Sequence, residues 1–201
     1  TGGPGTGKTT VVCFLLWALL SKPEYADCLL YLAAPSGKAA DRMKESINGS
    51  LAHFSESERN AHPKAFATLS NVQPSTIHRL LSFNPAGGSF AYTAEHQFPK
   101  NALFVIDEAS MIDVELFSAL LAAIPDGARL FILGDKNQLA SVQAGAVLDA
   151  LLQQPSVGVV ALRKSKRFTD ESVIGQFAKA LQKDEALPAL PWKSATGFSL
   201  A

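Results

Sequence analysis

The sequence predicts an α/β fold with a mostly parallel sheet that is covered by helices on both faces. Short apolar segments with the length of buried strands alternate with helical segments of about ten residues, an order that is typical of parallel sheets. A glycine-rich, phosphate-binding pattern also lies directly before the first helical segment, as in the strand–loop–helix unit of nucleotide-binding domains.

The first three elements are a helix, a strand and a second helix. Residues 9–20 form a continuous apolar run of good helix formers, which a Lys-Pro pair ends. Residues 28–34 (CLLYLAA) are a short apolar run stopped by a proline, which predicts a buried strand. Residues 37–47 have a mixed helical pattern, and we expect Asn48 and Gly49 to end that helix.

Less regular structure is expected between residues 51 and 99. Residues 51–72 are more polar and are predicted to form helix and loop. Residues 76–83 (TIHRLLSF) have apolar side chains at the spacing of a short helix. Residues 84–99 contain a Pro-Ala-Gly-Gly sequence and alternating aromatic residues, which indicate an exposed loop or a small hairpin.

Strands and helices alternate again in the remainder of the chain. Short apolar runs predict strands at residues 102–106, 129–133 and 157–162. Helical patterns cover residues 114–124, 144–152 and 172–183. We therefore assign residues 1–186 to one domain and residues 187–201 to the start of a linker or a next element.

Composition and charge fit an ordinary globular domain. Of the 201 residues, 47% are hydrophobic, and 18 basic residues balance 18 acidic ones. A net charge of zero gives no general electrostatic case for nucleic acid, so any DNA path must come from local groups. The two cysteines form no CxxC pair, which argues against a zinc site or disulfide framework and fits a reducing compartment.

Neither membrane insertion nor secretion is expected. The longest apolar run, residues 11–20, is about half as long as a bilayer span requires. The chain opens on glycines rather than on a basic and then apolar segment, which is unlike a signal peptide. We therefore expect a cytoplasmic protein.

Residues 2–9 (GGPGTGKT) match the phosphate-loop pattern GxxxxGK followed by Ser or Thr. Lys8 would reach the β- and γ-phosphates of ATP, and the Thr9 hydroxyl would ligate Mg²⁺. The alternative is a chance glycine-rich turn. The residues expected to surround the nucleotide are Gly3, Gly5, Thr6, Gly7, Lys8, Thr9 and Thr10.

The phosphate loop begins at the second residue, although such a loop normally follows a buried strand. No residues precede it in this sequence to form that strand. We therefore expect the chain to be a fragment of a longer protein in which the first strand of the domain is missing.

An acidic pair follows the predicted strand at residues 102–106. At the carboxyl end of a parallel strand, Asp107 and Glu108 would point into the ligand crevice. Asp107 would hold Mg²⁺ through water, and Glu108 would orient and deprotonate the attacking water. The alternative is a solvated acidic turn.

A polar segment also follows the strand predicted at residues 129–133. Its Gln138 could hydrogen-bond the γ-phosphate or the attacking water from the neighbouring strand end. A turn with an exposed amide is almost equally compatible with the residues.

Six segments occur in the order seen in superfamily 1 helicases that move 5′ to 3′, namely GGPGTGKTT, APSGKAADRM, STIHRLL, VIDEASMID, GDKNQLASVQAGAVL and SKRF. Among these helicases the sequence resembles the RecD family, the alpha subunit of bacterial exodeoxyribonuclease V. The resemblance runs from Gly2 to about Gln176, and its most specific stretches are APSGKAA and GDKNQLASVQAGAV. Members of the RecD group that work without nuclease partners fit the same segments.

The resemblance implies a RecA-like P-loop ATPase domain, the first of two motor domains of an ATP-dependent, 5′-to-3′ DNA helicase. It further implies single-stranded DNA and the beta and gamma subunits of exodeoxyribonuclease V as partners, and a role in double-strand break repair and recombination. Two alternatives of other classes are a P-loop ATPase switch that regulates partners without translocation, and a non-catalytic structural subunit.

The resemblance also implies which side chains touch DNA or the γ-phosphate. For Pro35–Lys38, an ordinary helix N-cap after a strand is the alternative, and for His78 it is a satisfied histidine on a short helix. Arg167 resembles the arginine that meets the γ-phosphate, although its basic neighbours also fit a solvated face. The implied DNA-binding residues are Pro35, Ser36, Gly37, Lys38, Thr76 and His78.

Overall fold

A computed structural model describes residues 1–3, 5–135 and 147–162 and confirms the α/β class. The strands are β1 (Leu29–Ala34), β2 (Ser75–Thr76), β3 (Phe83–Asn84), β4 (Ser89–Phe90), β5 (Ala102–Ile106) and β6 (Arg129–Ile132). Four of them form a parallel sheet in the order β2-β1-β5-β6. Strands β3 and β4 form a separate antiparallel hairpin, one of the two structures expected for residues 84–99, and it begins one residue earlier, at Phe83.

Seven α-helices surround the sheet in the described ranges. They are α1 (Lys8–Leu20), α2 (Gly37–Leu51), α3 (Glu56–Ala61), α4 (Pro63–Asn71), α5 (Ile77–Leu80), α6 (Val114–Ala123) and α7 (Val147–Leu152). The helix predicted at residues 172–183 and the linker predicted at 187–201 lie outside the described residues. No helix of the described residues is long and apolar enough to cross a membrane.

Helices cover both faces of the sheet, so β5, an inner strand, is buried on both sides. Leu103 and Val105 of β5 pack into a core formed with α1, α2 and α4. Phe104 and Ile106, which point to the opposite face, pack into a second core with α5, α6 and α7. This double burial explains why β5 is a continuous apolar run rather than an alternating one.

The second helix is longer than the sequence predicts. Instead of ending at Asn48 and Gly49, α2 continues to Leu51. Asn48 and Gly49 are exposed, whereas Leu51 is buried in the core. A glycine inside a helix costs about 1 kcal/mol relative to alanine, and burial of a leucine side chain contributes ~1.5–3 kcal/mol. Burial of Leu51 therefore outweighs the local turn signal.

The strand predicted at residues 157–162 is wrong over most of its length. Only Leu162 pairs, in a parallel bridge with Gly2, and its N–H donates to the Thr1 carbonyl oxygen at 2.8 Å. On its other side, the Gly2 N–H donates to the Gly134 carbonyl oxygen at 3.1 Å. A strand needs a neighbouring backbone along its length, and in the described chain only Thr1 and Gly2 lie between β6 and this segment. The phosphate loop thus starts beside the carboxyl end of β6.

Candidate active site

An open cleft of about 930 Å³ lies at the carboxyl end of the sheet. The phosphate loop and the start of α1 form one wall, α2 forms another, and the residues after β5 form the third. All the residues expected to surround a nucleotide line this cleft, namely Gly3, Gly5, Thr6, Gly7, Lys8, Thr9 and Thr10. Its location agrees with the crevice that was predicted from the position of Asp107 and Glu108 at the carboxyl end of a parallel strand.

The loop reaches its shape through glycine conformations and one internal hydrogen bond. Gly5 and Gly7 have φ angles of 75° and 83°, in the left-handed region that favours glycine. The buried Thr6 hydroxyl donates to the Gly3 carbonyl oxygen at 2.8 Å and closes the loop. Because Gly7 is the N-cap of α1 and no side chain caps it, the first N–H groups of α1 are available to a phosphate.

Lys8 is held inside the phosphate loop. Its ammonium group donates to the carbonyl oxygen of Gly2 and, at 3.3 Å, to that of Gly3. These bonds keep a positive charge in the space that the loop encloses, where phosphate oxygens are expected. A phosphate oxygen would be a stronger, charged acceptor for the same ammonium group.

Thr9 and Asp107 meet although 98 positions separate them in the sequence. The Thr9 hydroxyl donates to Asp107 Oδ2 at 3.4 Å, and Asp107 Oδ1 accepts from the Glu108 N–H at 2.8 Å. Burial raises the pKa of Asp107, while the Glu108 N–H, the charge of Lys8 and the Thr9 hydroxyl act in the opposite direction. A buried carboxylate with an incompletely compensated charge is a suitable environment for a cation.

The donor set at Thr9 and Asp107 fits Mg²⁺. Hydroxyl and carboxylate oxygens are hard ligands, and Mg²⁺ is commonly held by one or two protein oxygens together with substrate phosphates and water. Among the described residues, no group of three or more His, Cys, Asp or Glu residues could hold a metal by itself. The remaining ligands of a cation here would therefore come from phosphate and water.

Glu108 lies directly after Asp107 in a strained conformation that directs it to the cleft. Its φ angle of 53° is left-handed, which is unusual for a residue other than glycine. Burial raises its pKa, and so do the charges of Asp107 and Asp135, whereas Lys8 and Arg42 lower it. A carboxylate whose pKa is raised by burial is a stronger proton acceptor than an exposed one, which suits a general base.

The candidate DNA-binding residues lie at the carboxyl ends of β1 and β2, the same end of the sheet at which the acidic pair follows β5. The Asp107 N–H donates to the Ala33 carbonyl oxygen at 2.9 Å, and Ala34 pairs with Thr76. The segment after β1 is thus adjacent both to the acidic pair and to the start of α5. The carboxyl end of the sheet therefore brings the predicted nucleotide-binding and DNA-binding residues close together, with β1 between β5 and β2.

Ser36 caps α2, as the alternative based on spacing predicted. Its hydroxyl oxygen accepts from the Ala39 N–H at 3.3 Å. Gly37 and Lys38 follow and are exposed, and Pro35 precedes the cap. The cap occupies one N–H group at the helix start, and the exposed N–H of Gly37 together with Lys38 leaves a cationic helix terminus. Contact with DNA stays a prediction for all four residues.

Thr76 also serves as a helix cap, since its hydroxyl oxygen accepts from the Arg79 N–H at 3.2 Å. His78 is exposed, and its ring lies against Phe83 at 5.5 Å and Phe90 at 6.0 Å between ring centroids. Both residues therefore have a local structural role. Their predicted contact with DNA stays a prediction.

Two predicted catalytic residues, Gln138 and Arg167, lie outside the described residues. The structure does describe Gly134 and Asp135, which immediately precede the segment with Gln138. Backbone bonds hold the end of β6 against β5, from the Leu133 N–H to the Ile106 carbonyl oxygen and from the Ala109 N–H to the Leu133 carbonyl oxygen.

One wall of the cleft was not anticipated from the sequence. Ala39, Arg42, Met43 and Ser46 of α2 line the cleft, together with Glu45. Their spacing of three, four and seven residues places them on one helix face. The signal in the sequence was an arginine one turn after Lys38, in a helix that begins at a predicted functional segment.

The sequence profile of the AAA domain family matches residues 1–144. The RecBCD enzyme subunit RecD of Mycobacterium tuberculosis is 41% identical over 90% of this chain and 31% of its own length. The same subunit of Mycolicibacterium smegmatis is 38% identical over 98% of this chain and 35% of its own length. The ATP-dependent RecD2 DNA helicase of Deinococcus radiodurans is 35% identical over 92% of this chain and 22% of its own length.

The chain thus spans about a third of the length of these RecD relatives. The crystal structure of Bacteroides Pif1 bound to single-stranded DNA has a similar fold, with a TM-score of 0.50 and 18% identity over 92% of this chain and 42% of Pif1. This likeness confirms the RecA-like fold. The chain therefore belongs to the AAA domain family, and its relatives place it in the RecD group.

Proposed function

We propose that this chain is the first motor domain of an ATP-dependent, 5′-to-3′ DNA helicase. The observation that carries the proposal is the single cleft in which the phosphate loop, Thr9, Asp107 and Glu108 converge. Similarity to the RecD subunits and to the RecD2 DNA helicase supports the assignment of the activity.

ATP would bind with its phosphates in the loop, at the N-terminus of α1 and beside Lys8. Thr9 and Asp107 would hold Mg²⁺, which would neutralise charge on the β- and γ-phosphates. Glu108 would accept a proton from the water that attacks the γ-phosphorus, and the bond from the γ-phosphorus to the β–γ bridging oxygen would break, which gives inorganic phosphate and ADP as the leaving group. We assign Gln138 to orienting that water and Arg167 to stabilising charge on the γ-phosphate, in agreement with the family resemblance.

Single-stranded DNA would lie along the exposed start of α2 and near α5, where Pro35–Lys38, Thr76 and His78 share a sheet edge. In the longer protein, a second motor domain would close on the same ATP, and alternating closure and opening would move the DNA strand stepwise. We further propose that this protein acts in the cytoplasm as the alpha subunit of an exodeoxyribonuclease V-like complex with beta and gamma subunits, in double-strand break repair and recombination.

The helicase proposal is tested with the full-length protein on two duplex substrates, each with one single-stranded tail. A duplex with a 5′ single-stranded tail should be unwound in the presence of ATP and Mg²⁺, whereas a duplex with only a 3′ tail should not. ATP turnover should rise when single-stranded DNA is added. Turnover without any response to DNA and without unwinding would favour the alternative, a P-loop switch that regulates partners.

Lys38→Ala separates the DNA contact from the chemistry. Lys38 is exposed and outside the nucleotide cleft, so its removal should weaken single-stranded DNA binding and leave DNA-free ATP turnover intact. The slope of the logarithm of affinity against the logarithm of salt concentration should fall by about one unit, the value for one lost phosphate contact. Fluorescence anisotropy across a salt series measures both quantities. An unchanged slope would show that Lys38 is a surface lysine that makes no contact with a DNA phosphate.

A further inference from the structure

Arg42 and Glu108 face the same cleft from different walls, and the described chain fixes neither side chain. The guanidinium of Arg42 has no carboxylate within 4.0 Å among the described residues. No hydrogen bond within the described ranges holds the carboxylate of Glu108, whereas Asp107 beside it is bound to Thr9 and to the Glu108 N–H. A cation and an anion that both lack a hydrogen-bond or ion-pair partner among the described residues thus line one open cleft.

Arg42 is also the cleft cation that remains when Lys8 is engaged. Lys8 and Arg42 are the basic residues that line the cleft in the described part of the chain. Lys8 is held in the phosphate loop, where its charge would be matched by the phosphates of a bound nucleotide. Arg42 projects from α2, on the face that Ala39, Met43 and Ser46 also share.

Arg42 and Glu108 line the same cleft, Arg42 from α2 and Glu108 from the segment that follows β5. Glu108 is the member of the acidic pair whose carboxylate has no hydrogen bond within the described ranges, since Asp107 is held by Thr9 and by the Glu108 N–H. The guanidinium group is a planar fork that matches a carboxylate, which suits it to orient one.

We propose that Arg42 is a positioning residue for hydrolysis, which pairs with Glu108 and holds its carboxylate toward the attacking water. The proposal rests on the proposed role of Glu108 as the base, and it adds a residue of α2 to the hydrolytic machinery. Arg42 would act through Glu108 and not by binding ATP. Its loss should therefore slow turnover without weakening the affinity for nucleotide.

The test compares Arg42→Gln, Arg42→Lys and Glu108→Gln in the full-length protein, with steady-state ATP turnover in saturating single-stranded DNA. Arg42→Gln should lower kcat about 3- to 10-fold, which lies in the lower part of the range of coupling between neighbouring groups, with KM for ATP unchanged. Arg42→Lys, which keeps the charge but lacks the planar fork, should recover only part of that loss. Lys44→Gln removes one charge from the same helix outside the cleft and should turn over ATP like the unaltered protein.

A double-mutant cycle identifies the partner of Arg42. If Arg42 acts through Glu108, adding Arg42→Gln to Glu108→Gln should lower kcat no further. A second, independent loss in the double variant would overturn the proposal, and so would a raised KM with unchanged kcat, which would make Arg42 a nucleotide ligand. If Glu108→Gln slows turnover and Arg42→Gln does not, this inference fails alone. If the unaltered protein does not hydrolyse ATP, the proposed function fails instead.

Discussion

Replacing Glu108 with glutamine should slow ATP hydrolysis at least ~100-fold, the usual contribution of a positioned acid–base group. Glutamine has nearly the same shape as glutamate, so the strained backbone at this residue and the bond from its N–H to Asp107 should persist. The variant loses the negative charge of the carboxylate and its ability to accept a proton. ATP affinity should be equal or higher, because a negative charge near the triphosphate is removed.

Single-turnover hydrolysis and binding of a fluorescent ATP analogue measure the two effects separately. Glu115→Gln is the matched control, since Glu115 is exposed on α6 and lies outside the cleft. That variant should hydrolyse ATP at the rate of the unaltered protein. Normal hydrolysis by the Glu108→Gln variant would show that another group activates the water.

The sequence predicted the elements whose identity is decided by their own residues. Strands β1 and β5 are short apolar runs because both of their faces are covered, and this property is visible in the chain itself. The extension of α2 to Leu51 was not predictable from Asn48 and Gly49, because burial of Leu51 depends on the packing of other helices. Residues 157–162 illustrate the same limit, since a strand forms only where a neighbouring backbone is present to pair with it.

The site residues that lie in motifs of fixed spacing could be predicted, whereas those brought together by packing could not. The phosphate loop and the acidic pair have fixed spacings, so Lys8, Thr9, Asp107 and Glu108 could be named in advance and do line one cleft. Arg42 could not be named, because its relation to Glu108 arises from the packing of α2 beside β1 and not from any spacing along the chain. The hydrogen bonds from Lys8 to the carbonyl oxygens of Gly2 and Gly3 could not be predicted either, because the motif indicates only the contacts that the lysine makes with a bound nucleotide.

The largest loss of activity is expected from Lys8→Ala. The substitution removes the ammonium group from the interior of the phosphate loop, together with its bonds to the carbonyl oxygens of Gly2 and Gly3. In hydrolysis the same charge would stabilise the γ-phosphate as negative charge redistributes in the transition state. Loss of one preorganised group that stabilises developing negative charge costs on the order of 10²–10³-fold in turnover, and the loss of ground-state phosphate binding adds to it. Turnover in the full-length protein should therefore fall below detection.

A steady-state ATPase assay with a matched lysine control checks this expectation. Lys22→Ala removes an exposed lysine that follows the same helix, and its activity should be unaltered. Because Lys8 also ties the loop together, thermal unfolding of both variants should be recorded; the main core is formed by other residues, so a cooperative transition should remain. The Lys8→Ala variant should also fail to unwind a duplex with a 5′ tail while still binding single-stranded DNA, since Pro35–Lys38 lie outside the phosphate loop. Near-normal turnover by a folded Lys8→Ala variant would exclude the phosphate loop as the site of ATP hydrolysis, and with it the assignment of this cleft as the motor's active site.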